Sequence, residues 1–255
     1  GDESASGQIL LGLVERVVPH LQAAFVDIGE DKAGFLGARE ARVLAENPSH
    51  ETQIEECVSP GDTVLVQIIR PASGDKGAGI TANVTLPGRH LVLAPCSNRI
   101  AVSRSIEDEG ERARLTELAE KARTRLEIEG LDGPAGWVLR TAAAGVSEDV
   151  LLHDMEMVAK CWDEVLDLAD ANEAPFTLYQ DLGGLEKILR DHVALDIEAV
   201  IIGDKDLVSQ AKSYMANHMA GKEAMLEAGQ GEDVFERYDI HGAIRKACEA
   251  RVDLP

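Results

Sequence analysis

The 255-residue sequence predicts an α+β fold with a small five-stranded β-barrel first, a compact mixed segment after it, and an α/β region to the end. Three observations carry this expectation. Residues 7–84 hold five short runs of alternating apolar and polar character, with a helical stretch between the third and fourth. That is the order of an OB-type barrel. Residues 87–146 mix short strands with one charged amphipathic helix. From Ser147 onward, helical periodicity alternates with apolar strand-like runs, as in an α/β layer. The expected boundaries are therefore 7–86, 87–146 and 147–255.

Taken in order, residues 7–18 read as a long first strand, with Gly12 permitting the bend that a small barrel needs. Residues 23–27 and 33–36 are the next two strands, joined by the acidic turn Gly29-Glu30-Asp31-Lys32. Residues 38–45 read as a short helix and 50–60 as a polar loop. Residues 63–70 alternate well enough for a strand, 71–77 form a Gly/Ser/Asp turn carrying Lys76, and 78–84 close the barrel. Strands are expected at 90–94 and 102–106, a helix at 107–129, and a strand at 137–142 that ends in polar residues.

Ser147 stands where it can cap a long helix, with Glu148 and Asp149 favourably placed in the first turn. The apolar residues Leu151, Met155, Val158, Trp162, Val165 and Leu166 recur along that helix at helical spacing. Residues 174–179 read as a strand or extended link, 185–193 as a helix, 197–202 as a buried strand and 204–219 as the helix after it. There are no internal repeats and no low-complexity linker.

Composition narrows the function classes. The formal net charge is -21, which argues against a general polyanion binder, because phosphate contact relies on Lys and Arg. A site for nucleic acid must then be a local basic or aromatic patch on an acidic surface. The four cysteines are far apart with no CxxC pair, so neither a disulfide framework nor a zinc site is expected, and reduced thiols suit a cytoplasmic protein. The seven histidines show no HExxH or paired spacing, and Ser103 and Ser147 lack a nucleophile-elbow context. No apolar run approaches the ~20 residues of a membrane span, and no signal peptide precedes the first strand. The start at Gly1 and the stop at Val252-Asp253-Leu254-Pro255 read as cuts from something longer.

Aromatics make up only 4% of the residues, so each is informative. Two adjacent strands deliver Phe25 and Phe35. If both point outward they form a platform on which unpaired bases stack, worth roughly 1–3 kcal/mol per base. On spacing alone, filling the barrel interior is an equally good use of these rings. Arg140-Thr141 at a strand end is, on its own, an ordinary site for a surface salt bridge. Trp162 is expected in the core of the long helix, and Trp137 in that of the middle segment.

The motifs AAFVDIG, GFL, the Gly-Asp-Lys-Gly turn, HLVLAP, SRSIE and LRTAAAG occur in that order. The runs KCWDEVLDLADANEAPFTLYQD, LRDHVALDIEAVIIGD and VFERYDIHGAIRKACEARVDLP come after them. Together this series resembles the ribonuclease E/G family of bacterial endoribonucleases from about Gly7 to Pro255. The resemblance implies an S-one-type OB domain, then a small sensor of RNA 5′ ends, then an RNase-H-like region. It assigns single-stranded RNA to Phe25, Phe35 and the basic Lys76. It assigns a 5′-monophosphate to Arg140 and Thr141, with Gly88 and Val92 beside the terminal nucleotide and Arg104 in support. Leu11 and Ile28 stand where the family often has a basic and an aromatic residue, which implies a smaller, less charged platform.

The family's Mg2+-holding Asp pair and its zinc-binding link between protomers belong to segments beyond the region matched by this chain. The resemblance therefore implies no cofactor in these 255 residues and no RNA cleavage by them alone. It also implies a homo-oligomer for a full-length member. Two other function classes are compatible with the residues. One is a non-catalytic RNA-binding or scaffold protein derived from the family. The other is a protein-interaction module whose acidic surface has abolished RNA binding.

Overall fold

The computed structural model describes residues 6–124, 126, 135–180, 183–193, 197–219, 223–229 and 234–248. The end of the expected 107–129 helix lies outside the described residues. The chain divides into two compact units, residues 1–181 and 182–255.

In the first unit, β1 (Ile9–Val18), β2 (Ala23–Asp27), β3 (Gly34–Gly37), β4 (Thr63–Arg70) and β5 (Gly79–Thr81) close on themselves in the order β1-β2-β3-β5-β4-β1. All neighbours are antiparallel except β3 and β5. This is the five-stranded OB-type barrel that the alternating segments predict. Its interior is filled by Leu10, Val14, Ala24, Val26, Leu36, Val66, Ile68 and Ile80, among others. Gly12 lets β1 and β2 pack closely, since a Cβ there would sit 2.5 Å from Val26 Cγ1. The stretch after β3 is shorter than expected as an α-helix. It is one turn, α1 (Ala38–Ala41), continued by a 3-10 turn at Arg42–Leu44. The 50–60 loop holds its own 3-10 turn, Ile54–Glu56, fixed by a capping box between Gln53 and Glu56.

Buried Gln67 joins the barrel to the segment that starts at Thr85. Its Nε2 donates to the carbonyls of Gly7 and Thr85, both at 2.9 Å, and its Oε1 accepts from the Thr85 N–H at 3.0 Å. A second sheet then forms from β6 (Leu86–Pro87), β7 (Leu91–Ala94), β8 (Ile100–Val102) and β9 (Gly136–Leu139), in the order β6-β7-β9-β8. The expected strand at 102–106 is displaced to Ile100–Val102. Ser103 to Ile106 instead make a turn closed by the Ile106 N–H on the Ser103 carbonyl. The expected strand at 137–142 stops at Leu139, and Thr141–Ala143 is a 3-10 turn.

One face of this sheet packs on α2 (Glu109–Arg123) and α3 (Glu148–Ala171). Leu91, Leu93, Trp137, Leu139, Leu115, Leu151, Met155 and Trp162 form that core, so both tryptophans are core residues as expected. Asp108 caps α2 and Ser147 caps α3. Finally β10 (Phe176–Tyr179) returns to pair antiparallel with the first residues of β1. In this way segments read from the sequence as separate regions share one core with the barrel's first strand.

The second unit contains α4 (Gly184–His192), a parallel pair β11 (Val200–Ile202) and β12 (Leu226–Ala228), α5 (Lys205–His218), and the short helices α6 (Val234–Arg237) and α7 (Ile240–Ala247). Leu189, Val193, Ile202, Ala211 and Met215 are its core. Strand β12 is not visible in the sequence, because its three residues offer no alternation long enough to read. No helix among the described residues is long and apolar enough to cross a membrane.

The turn carrying Lys76 depends on a close approach of two backbones. A Cβ on Gly77 would lie 2.1 Å from the Ala33 carbonyl oxygen, and no side-chain adjustment relieves that. Gly77→Ala is expected to cost about 1–3 kcal/mol in urea unfolding. Gly37→Ala, whose Cβ meets nothing closer than Phe35 Cε1 at 3.8 Å, should leave the midpoint nearly unchanged.

Candidate nucleic-acid interface

Strand alternation sends Ala24, Val26 and Leu36 into the barrel and Phe25 and Phe35 out of it. The two phenylalanines are direct cross-strand partners, with ring centroids 5.9 Å apart and planes at 80°. That is the edge-to-face arrangement that aromatic quadrupoles favour. Phe35 is 39% exposed and Phe25 is half-buried. The interior-filling use of these rings is therefore excluded.

The Lys76 turn lies against the same strand. The Phe35 N–H donates to the Ala78 carbonyl at 2.8 Å, and a backbone ladder between Ser73 and Lys76 tightens the loop. Lys32 reaches across to donate to the Gly74 carbonyl, which ties the β2–β3 turn to the Lys76 loop. Lys76 itself is exposed. Leu11 and Ile28 are buried in two different cores, so neither could add charge or a ring to this face.

Two arginines that the sequence reasoning did not single out lie on the same row. Arg16 is the cross-strand partner of Phe25, with its Cζ 4.5 Å from the ring centroid. Arg70 is the partner of Gly79, which is in turn the partner of Phe35. Its guanidinium lies over the missing side chain of that glycine, since a Cβ there would be 3.2 Å from Arg70 Nη2. Simple alternation assigns both residues to the barrel interior, which is why the sequence hid them.

A second cluster gathers at one end of the β6–β9 sheet. The Arg140 N–H donates to the His90 carbonyl at 2.8 Å, and Arg140 Nη1 donates to the Gly88 carbonyl at 3.0 Å. Val92 pairs with Val138, two residues before Arg140, on the sheet face turned away from the helices. The Thr141 hydroxyl lies 3.0 Å from that of Ser103. Arg104 is exposed in the turn between Ser103 and Ser105. Arg140, Thr141, Gly88, Val92 and the turn bearing Arg104 are thus neighbours, although up to 53 positions separate them in sequence.

Three polar anchors hold these turns. The Asp154 carboxylate on α3 accepts the backbone N–H of His90 at 2.7 Å and of Arg89 at 3.3 Å, and faces His90 Nδ1 at 3.4 Å. Burial pushes the Asp154 carboxyl up, but those hydrogen bonds outweigh it and the pKa is lowered overall. A Cβ on Gly88 would sit 2.8 Å from Val158 Cγ2 and 3.0 Å from Asp154, so only glycine lets α3 approach this closely. Arg112 donates to the carbonyls of Ser103, Ile106 and Val102 and so fixes the Ser103 turn. Glu111 forms a two-point pair with Arg114 at 2.6 and 2.7 Å and accepts the Gly145 N–H at 2.8 Å. Arg114 also donates to the Val146 carbonyl. The sequence does not single out Asp154, Arg112, Glu111 or Arg114, because a charged residue on an amphipathic helix reads as solvated surface.

Among the described residues, no group of three or more His, Cys, Asp or Glu side chains could hold a metal ion.

Comparison with known proteins adds a family. The ribonuclease E/G family model matches residues 85–255. Ribonuclease G of Escherichia coli strain K12 is 32% identical over 256 residues, covering 97% of this chain and 51% of that protein. Ribonuclease G of Haemophilus influenzae is 33% identical over 97% of this chain and 50% of its own length. Ribonuclease E of Nostoc sp. is 34% identical over 98% of this chain and 36% of its own length. The chain spans about half the length of the ribonuclease G relatives it matches.

The Glu111 anchor has a pH signature. Arg114 and the Gly145 N–H lower its pKa from 4.5 to about 2. A carboxyl depressed in the folded state adds stability that is fully present above the unfolded value and is lost as pH falls through the folded one. Thermal stability should therefore decline between about pH 4.5 and 2, and Glu111→Gln should flatten part of that decline. An identical decline in the variant would show that the carboxylate does not stabilise the Gly145 turn.

Proposed function

This chain belongs to the ribonuclease E/G family, and on that premise we propose that it is an RNA-recognition portion that grips single-stranded RNA and reads its 5′ end. The observation that carries the reading is the outward, mutually perpendicular pair Phe25 and Phe35 on the barrel's outer face. Exposed rings are costly to leave in water and offer a sequence-tolerant surface to base faces. Lys76 supplies a cation beside them for a phosphate.

The 5′ end is assigned to Arg140 and Thr141. A guanidinium offers N–H donors in a fork that matches a phosphoryl group, and charge-assisted bonds of that kind are strong. Its hydrogen bond to the Gly88 carbonyl supports a fixed orientation for that fork. The Thr141 and Ser103 hydroxyls add short donors, and Val92 gives an apolar wall for the terminal nucleotide. A monophosphate matches one guanidinium and one hydroxyl pair, whereas a triphosphate brings more charge and bulk than this cluster balances.

Phe25→Ala and Phe35→Ala should each weaken binding of a short unstructured RNA by about 5- to 150-fold in fluorescence anisotropy, the range that one lost base stack gives. Circular dichroism should stay native, and unchanged affinity would remove the platform. Arg140→Ala should abolish any preference for a 5′-monophosphate over a 5′-hydroxyl while leaving affinity for the interior of the strand intact. A preference that survives the substitution would place the 5′ contact elsewhere.

A further inference from the structure

The aromatic pair does not stand alone on the outer face. Cross-strand register runs Arg16–Phe25–Phe35–Gly79–Arg70 over β1, β2, β3, β5 and β4, one residue from each barrel strand. Four strand spacings of about 4.8 Å make this row roughly 19 Å long. An arginine stands at each end.

Neither arginine reaches this row by simple alternation. Val14 and Ile68 are buried in the barrel, so strict period-two counting would turn Arg16 and Arg70 inward as well. The register shifts between Val14 and Arg16, and again between Ile68 and Arg70. Each irregularity flips the parity of its strand and brings an arginine to the outside. Bulges of this kind commonly re-aim a side chain near a functional surface. Two of them, on different strands, deliver like charges to opposite ends of one row.

The immediate surroundings agree. In a chain of net charge -21, a carboxylate is the expected neighbour of a surface arginine. Among the described residues, neither Arg16 nor Arg70 forms an ion pair within 4 Å. Asp27, the acidic residue two positions from Phe25 on the same strand, is turned to the Gly29 N–H at 2.9 Å. Arg16 instead sits over the Phe25 ring, and Arg70 occupies the space left by Gly79 beside Phe35.

We propose that Arg16 and Arg70 are phosphate-binding ends of a track on which single-stranded RNA crosses the barrel strands, with Phe25 and Phe35 stacking the bases between them. This rests on the reading of the phenylalanine pair as an RNA platform. It adds to that reading two contacts and a direction: the strand runs across the sheet rather than along it. The track also accounts for how an acidic protein holds a polyanion, since Arg16 and Arg70 add a cation at each end of a strip that Lys76 flanks.

The test is a salt titration of the full 255-residue chain with a short unstructured RNA, read by fluorescence anisotropy. For single strands, each phosphate contact contributes about 0.7 to the slope of log affinity against log salt. Arg16→Ala and Arg70→Ala should each lower the slope by about 0.7, and the double variant by about 1.4, because the two residues are too far apart to couple. Arg16→Lys and Arg70→Lys should restore it, which a merely structural role would not require. Wild-type protein that fails to bind RNA at low salt overturns both the platform and the track. Wild-type binding that weakens in Phe25→Ala while both arginine variants keep the full slope overturns the track and leaves the platform standing.

Discussion

The register of the β2–β3 hairpin is the constraint on which the rest depends. Phe25 opposes Phe35, while Ala24 opposes Leu36 and Val26 opposes Gly34. Side chains on a strand alternate between faces, so a slip of one residue would bury the rings and expose the barrel's apolar lining. The register is held from both sides. Small or branched residues fill the interior, and Gly34 allows close approach where a Cβ would meet Ile80 Cδ1 at 2.9 Å. The acidic turn is tied by Asp27 to the Gly29 N–H and by Lys32 to the Lys76 loop. One geometric fact therefore fixes the core, the aromatic pair and the position of the nearby lysine.

A different economy governs the second cluster. There the working groups sit on turns, and turns are held by polar anchors rather than by packing alone. Asp154 holds the Gly88–His90 turn, Arg112 the Ser103 turn, and the Glu111–Arg114 pair the Gly145 turn. All of these anchors come from α2 and α3, where Asp154, Arg112 and Glu111 stand one helical turn from the core residues Leu115, Leu151 and Val158. The same helices thus build the core and hold the turns that carry Arg140, Thr141 and Arg104. Gly88 serves both purposes, since it lets α3 approach and offers its carbonyl to Arg140.

Much of this was legible in the sequence. Alternation in residues 23–27 and 63–70 identified the barrel, and Ser147 marked the start of the long helix where the structure has it. The motif series placed the chain in its family before any coordinates. What escaped did so for physical reasons. The bulges at Arg16 and Arg70 reverse strand parity, and the residue types of a strand do not signal an irregularity in hydrogen bonding. The Ser103–Ile106 segment looks like a strand, yet Arg112 takes up its carbonyls and makes it a turn. Asp154 and Glu111 look like solvated helix residues because each also accepts backbone N–H groups of a distant turn, and those contacts leave no trace in side-chain pattern. Periodicity reports what packs, whereas these contacts depend on where the backbone turns.

The most direct test is photocrosslinking of the full chain to a single-stranded RNA substituted with 5-iodouridine, with the adducts mapped by mass spectrometry. Excitation joins the base to an aromatic ring on which it stacks. The account predicts adducts on the peptides containing Phe25 and Phe35, lost on competition with unlabelled single-stranded RNA. Adducts confined to Tyr179, Tyr214, Phe235 or Tyr238, with none on the β2–β3 hairpin, would contradict it.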